Sequence, residues 1–177
     1  MKIRSLLPVI ASALLAACTT AGPVGNTSVP QPVKTVQLNR YLGEWFELAR
    51  YENSFEKNCE GVTAQYSQRN DGMIRVINTC RKGSPDGTEK SVEGRAKIVP
   101  DSGNAKLKVS FFGPFYGDYW VLDRANDYTW SIVGEPSGRY LWILTRTAKP
   151  SEQTRTMLVN KVKSLGYDVG RLHWTQH

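Results

Sequence analysis

Few side chains in this 177-residue sequence could do covalent chemistry: three cysteines (Cys18, Cys59, Cys80) and two histidines (His173, His177). A thiolate nucleophile needs a base to activate it, and neither histidine lies near a cysteine in the chain. A metal centre would need a second cluster of ligands, which the isolated histidines lack. The sequence has no glycine-rich phosphate loop, no Gly-x-Ser-x-Gly elbow and no His-Glu-x-x-His motif. With no nucleophile, base and orienting group to assemble, it reads as a binding protein rather than an enzyme, with no catalytic residue, cofactor or metal. Glu47 is the odd group, a carboxylate whose strand parity points inward among apolar neighbours. Buried, it needs a partner or a raised pKa. Tyr66 or Asn78 could hydrogen-bond it, or it could meet a ligand head group; a satisfied structural network is the simpler reading.

The N-terminus decides what happens to the first cysteine. Lys2 and Arg4 precede an apolar stretch from Leu6 to Leu15 and the small pair Ala16-Ala17, the pattern of an export signal. Leu15-Ala16-Ala17-Cys18 resembles the lipobox of bacterial lipoproteins, which implies removal of residues 1–17 and acyl chains on Cys18. Several chains hold a protein firmly to a membrane where one binds marginally. Thr19 stands where the inner-membrane retention signal has Asp, so the expected location is the outer membrane, on its periplasmic face. Cleavage takes Lys2 and Arg4 with it, lowering the formal charge from +7 to +5. Residues 18–36, rich in Pro and Gly, read as a flexible tether, and residues 37–177 as the folded domain.

Cys59 and Cys80 remain. They flank a hairpin turning at Asn70-Asp71-Gly72, and an oxidising periplasm favours a disulfide between them. Simple counting places Cys59 opposite residues 80–83, so slack before Gly61 must absorb the misfit. Closing a loop of this size stabilises by about 3 kcal/mol.

Eight β-rich runs position these residues: 44–51, 61–68, 73–81, 90–99, 105–112, 118–123, 128–134 and 140–146. Turn clusters such as Ser84-Pro85-Asp86-Gly87 and Asp101-Ser102-Gly103-Asn104 separate them. Short strands at even spacing fit an all-β barrel or sandwich and leave no room for βαβ crossovers. Collagen, coiled coil, disorder and a membrane-spanning helix are excluded by composition and by the absence of an apolar run of about 20 residues. Charges alternate with apolar residues along the strands, so the positive balance is a solvated outer face and nucleic acid is not a partner. Pro150-Ser151-Glu152 opens one helix, with Met157, Leu158, Val162 and Leu165 as its apolar stripe and Gly166 as its stop. Residues 171–176 could add a terminal strand.

The segment Asn39 to Arg50, built around Gly43-Glu44-Trp45, resembles the first signature of lipocalins. Gly117-Asp118-Tyr119 is similar to the family's second motif with Gly in place of Thr, and Arg146 matches the third. The stretch from Lys34 to about Trp174 resembles bacterial outer-membrane lipocalins in particular. The resemblance implies an eight-stranded up-and-down antiparallel β-barrel with a short 3₁₀ turn at its floor and a C-terminal α-helix packed outside. It also implies that the Arg146 guanidinium stacks on the Trp45 indole and closes the floor.

On that frame, parity assigns the cavity lining to Glu47, Ala49, Tyr51, Ala64, Tyr66, Ile74, Val76, Asn78, Ala96, Ile98, Leu107, Val109, Phe111 and Trp142. Trp45, Val62, Gly94 and Leu144 share the inward parity, and small residues among them suit a hollow interior. Phe112, Phe115 and Tyr116 fall on a connection at the open end. They form either the rim of an apolar mouth and a membrane contact, or a plug folded back into the barrel. The function expected is storage or transport of fatty acids or lysophospholipids in envelope maintenance. A lipocalin-fold enzyme using Cys59 or Glu47, an adaptor without a small ligand, and self-association as a homodimer are the alternatives left open.

Overall fold

The computed structural model describes residues 24–177. The export signal and Cys18 lie outside the described residues. A four-residue helix α1 (Leu38–Tyr41) leads into β1 (Gly43–Tyr51), β2 (Cys59–Gln68), β3 (Ile74–Lys82) and β4 (Glu89–Ile98). Then come β5 (Lys106–Ser110), β6 (Gly117–Arg124), β7 (Trp130–Gly134), β8 (Leu141–Thr145), α2 (Glu152–Ser164) and a short strand β9 (Leu172–Trp174). Each of β1 to β8 pairs antiparallel with its neighbour in sequence, and β1 also pairs with β8, which closes an eight-stranded up-and-down barrel. Along β2 to β5, alternating residues send apolar groups to the inside and mostly polar or charged groups outward. Cross-strand pairs such as Arg75–Glu93 and Lys108–Asp118, at 2.6 and 2.7 Å, occupy the outer wall.

The seam between β1 and β2 is closed by strand pairing at one end of the barrel and by the C-terminus at the other. β1 pairs with β2 only over Gly43–Phe46; above that its free edge takes β9, with Ala49 opposite Trp174 and Tyr51 opposite Leu172. The Thr175 N–H donates to the Leu48 carbonyl, and the Gly61 N–H donates to the Gln176 carbonyl at 2.7 Å. The last residues therefore stitch the seam where β1 and β2 diverge, satisfying backbone groups an open edge would leave bare.

Two apolar layers share the wall of β1 and β6–β8. The inner one fills the barrel and includes Trp45, Tyr66, Val121, Val133 and Leu144. The outer one lies under α2, where Leu158 and Val162 are fully buried against Leu48, Ile132, Leu141 and Ile143. Ser151 caps α2 by accepting from the Thr154 N–H, Glu152 sits in its first turn, and Gly166 adopts φ +89° just past its end.

Two expectations change here. Residues 24–36 do not form a free tether: they lie along the outer wall beside α2. Lys34 bonds Asp123 at 2.7 Å, Asn26 donates to the Leu165 carbonyl, and Val36 is buried. Ala49 and Tyr51 face the outer layer and not the barrel interior. The ladder to β8 slips between Glu47 and Ala49, a bulge that reverses parity for the rest of β1. Tyr51 instead donates its hydroxyl to the Asp168 carbonyl and packs its ring edge on Tyr167.

Candidate ligand cavity

The closed end of the barrel is built around Trp45, whose side chain has no exposed surface. The bend at Gly43 (φ +96°) turns the chain from α1 into β1 and brings α1 under the barrel. The Trp45 indole N–H then donates to the Tyr41 carbonyl at 2.8 Å. The Arg146 guanidinium lies 3.7 Å from the indole centroid and donates to the carbonyls of Arg40, Tyr41, Leu42 and Glu44. Arg146 thus uses both a flat cationic face and its edge donors, a combination lysine could not supply.

Above this floor stand three buried phenols. Tyr119 is within 2.9 Å of the Tyr41 hydroxyl and 3.0 Å of the Tyr66 hydroxyl, and Tyr41 also bonds Ser131. Burial pushes all three above the ordinary phenol range, so they stay neutral and shared hydrogen bonds satisfy them. They bound a cavity of about 20 Å³, room for little more than one water, walled by Val36, Leu38, Leu42, Ile74, Val76, Ala96, Leu107 and Val109.

The upper interior is partly filled. The Phe111 ring lies across Gly94, where a Cβ would stand 2.7 Å from the ring. The Trp142 indole N–H donates to Glu56 Oε2 at 3.0 Å, drawing the β1–β2 connection (52–58) over one side of the mouth. The small residues Ala64, Gly94 and Ala96 therefore accommodate Phe111 and its neighbours more than they leave open space. Asn78 Oδ1 is buried with no hydrogen-bond partner; its ladder partner Ala64 belongs to the inner layer, so it too faces inward. Ile98 is only half-buried and stands outside the inner layer.

Glu47 does not reach Tyr66 or Asn78. Arg50, fully buried, donates to Glu47 Oε1 at 2.8 Å, and the Thr175 hydroxyl donates to the same oxygen at 2.5 Å. Arg50 also donates to the carbonyls of Cys59 and Glu56 and bonds Glu52. Burial, aided by the nearby Glu56 carboxylate, pushes the Glu47 carboxyl up to about 8 against the pull of Arg50. The carboxylate is thus committed to the seam that the C-terminus closes. Sequence reasoning missed Arg50 because the bulge two residues earlier carries no residue signature; Thr175 is a contact made 128 residues away.

Cys59 and Cys80 form a disulfide, with Cα atoms 5.3 Å apart. The expected slack is at Gly61, which adopts φ +55° in a bulge between Glu60 and Thr63. That extra residue sets Cys59 opposite Lys82, one step nearer to Cys80 than unbroken pairing from Thr63–Thr79 would allow. Cys59 is therefore not available as a nucleophile, and the enzymatic alternative loses both residues it relied on.

At the mouth the three expected aromatics part company. Phe112 and Phe115 are 77% and 78% exposed on the β5–β6 hairpin, so they do not plug the barrel. Tyr116 leaves the rim: it lies on the outer wall of β4, hydrogen-bonded by Arg95 and covered by the Lys97 ammonium at 4.5 Å. Phe55, missed by strand parity because it sits in a connection, is exposed at the same end and contacts Tyr140 and Trp142.

Residues 36–177 match the family model described as a lipocalin-like domain. The chain belongs to the lipocalin family. It is 40% identical over 176 residues to the outer membrane lipoprotein Blc of Vibrio cholerae, covering 98% of this chain and 99% of that one. It is 41% identical over 152 residues to temperature-induced lipocalin-1 of Arabidopsis thaliana, covering 81% and 80% of the two chains. Among solved structures, insecticyanin of Manduca sexta superposes with a TM-score of 0.69 at 23% identity, over 88% of each chain. As a lipocalin, the chain has its family's floor in the Trp45–Arg146 stack, and its interior is the place where a hydrophobic ligand would be held.

Proposed function

We propose that this lipocalin is anchored by acyl chains on Cys18 to the outer membrane, facing the periplasm, and binds fatty acids or lysophospholipids for storage or transfer. The observation that carries this reading is the apolar barrel interior, sealed at one end by Arg146 and opening at the other between exposed phenylalanines. The relatives named outer membrane lipoprotein support the anchor and the membrane. An acyl chain would enter past Trp142 and lie along Val76, Ala96 and Val109, with Phe111 swinging off Gly94 to admit it. The orphaned Asn78 carbonyl supports a ligand carrying a hydroxyl, as the glycerol of a lysophospholipid does, over a bare carboxylate.

Native mass spectrometry of the protein extracted in mild detergent tests this. Co-purifying acyl lipids, released by collisional activation, are the expected result. A barrel that leaves the membrane empty and takes up neither palmitate nor a lysophospholipid on titration would remove the lipid-binding reading. Intact mass reports on the anchor separately, since lipidation at Cys18 adds the mass of a diacylglyceryl group and an N-acyl chain.

A further inference from the structure

Where the chain enters the folded body fixes which end of the barrel the anchor can reach. The N–H groups of Gly25 and Asn26 both donate to the Gly138 carbonyl, at 2.9 and 3.2 Å, and Asp168 N–H donates to the Gly25 carbonyl. Gly138 belongs to the β7–β8 hairpin at the open end, and its φ of +67° brings it so close to Asn26 that a Cβ would overlap the Asn26 carbonyl. From there the segment runs down the wall to Lys34 beside Asp123 and to Val36, whose N–H donates to the Gly103 carbonyl at the closed end. The described residues therefore begin at the mouth.

Five residues separate Cys18 from Val24, six steps along the chain. Fully extended they span roughly 20 Å. The nine residues of β1 run about 30 Å from floor to mouth. An anchor on Cys18 that short holds the open end next to the bilayer and cannot turn the floor towards it. The same end carries Phe55, Phe112 and Phe115, all exposed and on two separate connections. Phenylalanine is one of the apolar side chains with which peripheral proteins enter the boundary between head groups and acyl chains, and a cluster of exposed apolar rings marks a contact surface.

We propose that the open end of the barrel docks on the bilayer that holds the Cys18 anchor, with Phe55, Phe112 and Phe115 entering its interface. This rests on the anchored, lipid-binding reading and adds an orientation to it. A lipid would then pass between bilayer and barrel without crossing open water, and the tether would keep the docking surface at high local concentration over the membrane. The occupant is a lipid surface; a second copy of this chain on the same phenylalanines is the competing outcome.

The test uses the full lipidated chain in vesicles of phosphatidylethanolamine and phosphatidylglycerol containing a photoactivatable phospholipid. After vesicle flotation and illumination, lipid adducts are mapped by peptide mass spectrometry. Adducts are expected on 52–58 and 111–116, and not on the closed-end turns 69–73 and 101–104. Phe112→Ser with Phe115→Ser is expected to lower the 111–116 adducts about tenfold while the protein still floats. Adducts equally spread over both ends, or unchanged in the double variant, overturn the docking. Protein–protein adducts at 111–116 without lipid adducts replace the bilayer with a second copy. A floating protein without open-end adducts loses only the orientation; one that does not float loses the anchor and the orientation together.

Discussion

At the closed end of this barrel one guanidinium gives hydrogen bonds to five backbone carbonyls and lies flat on a fully buried indole. At the open end three phenylalanines face solvent, and a disulfide, a buried Glu47–Arg50 pair and the C-terminal residues hold the strands together. The floor is over-determined: the groups that close it, the Trp45 indole N–H and the Arg146 guanidinium, also satisfy the backbone carbonyls around it. The mouth leaves its apolar surface unsatisfied by the protein itself. A binding barrel needs that asymmetry, because the end that admits a lipid cannot also be the end that secures the fold.

Breaking the floor is therefore expected to have the largest effect. Trp45→Ala removes a fully buried indole, its bond to Tyr41 and the platform under Arg146, at a cost of about 4 kcal/mol. Urea denaturation measures it, and a loss below about 1 kcal/mol would mean that Arg146 alone seals the barrel. The next largest effect tests the mouth's covalent tie. Cys59→Ala with Cys80→Ala frees a loop of 21 residues and is expected to cost about 3 kcal/mol in the same assay. A cost near zero would place the strength of the mouth in its strand ladder and the C-terminal residues instead.

The same contrast explains what the sequence showed. Gly43, Trp45 and Arg146 were legible through the resemblance of their segments to the lipocalin signatures. The eight strands, α2 and the disulfide followed from turn residues, periodicity and cysteine spacing. The mouth was harder to read because its geometry comes from bulges and from contacts distant in sequence. One bulge after Glu47 turned Ala49 and Tyr51 outward and buried Arg50. Parity can be counted only along an unbroken strand. The segment 24–36 carried the Pro and Gly of a linker, yet Asn26 and Lys34 bind groups on α2 and β6 that no local pattern announces. The inward position of Phe111 could be read, but not that its ring would use the space over Gly94.

Glu47 gives the mouth a pH dependence that the floor lacks. In the fold its carboxyl holds a proton up to about pH 8, whereas its ordinary value is 4.5. Between those values the folded chain binds the extra proton, so this group's contribution is fully present below pH 4.5. It declines as the pH rises towards 8, by at most about 1.4 kcal/mol per pH unit. Subtracting the stability profile of Glu47→Gln from that of the unaltered protein, from pH 5 to 8, should isolate a falling slope. A flat difference would show that Arg50 and Thr175 keep the carboxylate charged.

The smallest effect on stability is expected where the effect on function is largest. Phe112 and Phe115 project from the β5–β6 hairpin with about three-quarters of their surface exposed, and neither belongs to the inner or the outer layer. Replacing both with Ser removes no buried contact and leaves no polar group unpaired, so unfolding in urea should shift by no more than about 0.5 kcal/mol. The same variant should transfer lysophospholipid from donor vesicles more slowly than the unaltered protein, because the apolar surface at the mouth is gone while the interior is intact. If the double variant instead loses several kcal/mol, those rings are structural, and the division between a floor that secures the fold and a mouth that meets lipid is wrong. If it is stable and transfers lipid at the full rate, the division stands for stability and fails for function.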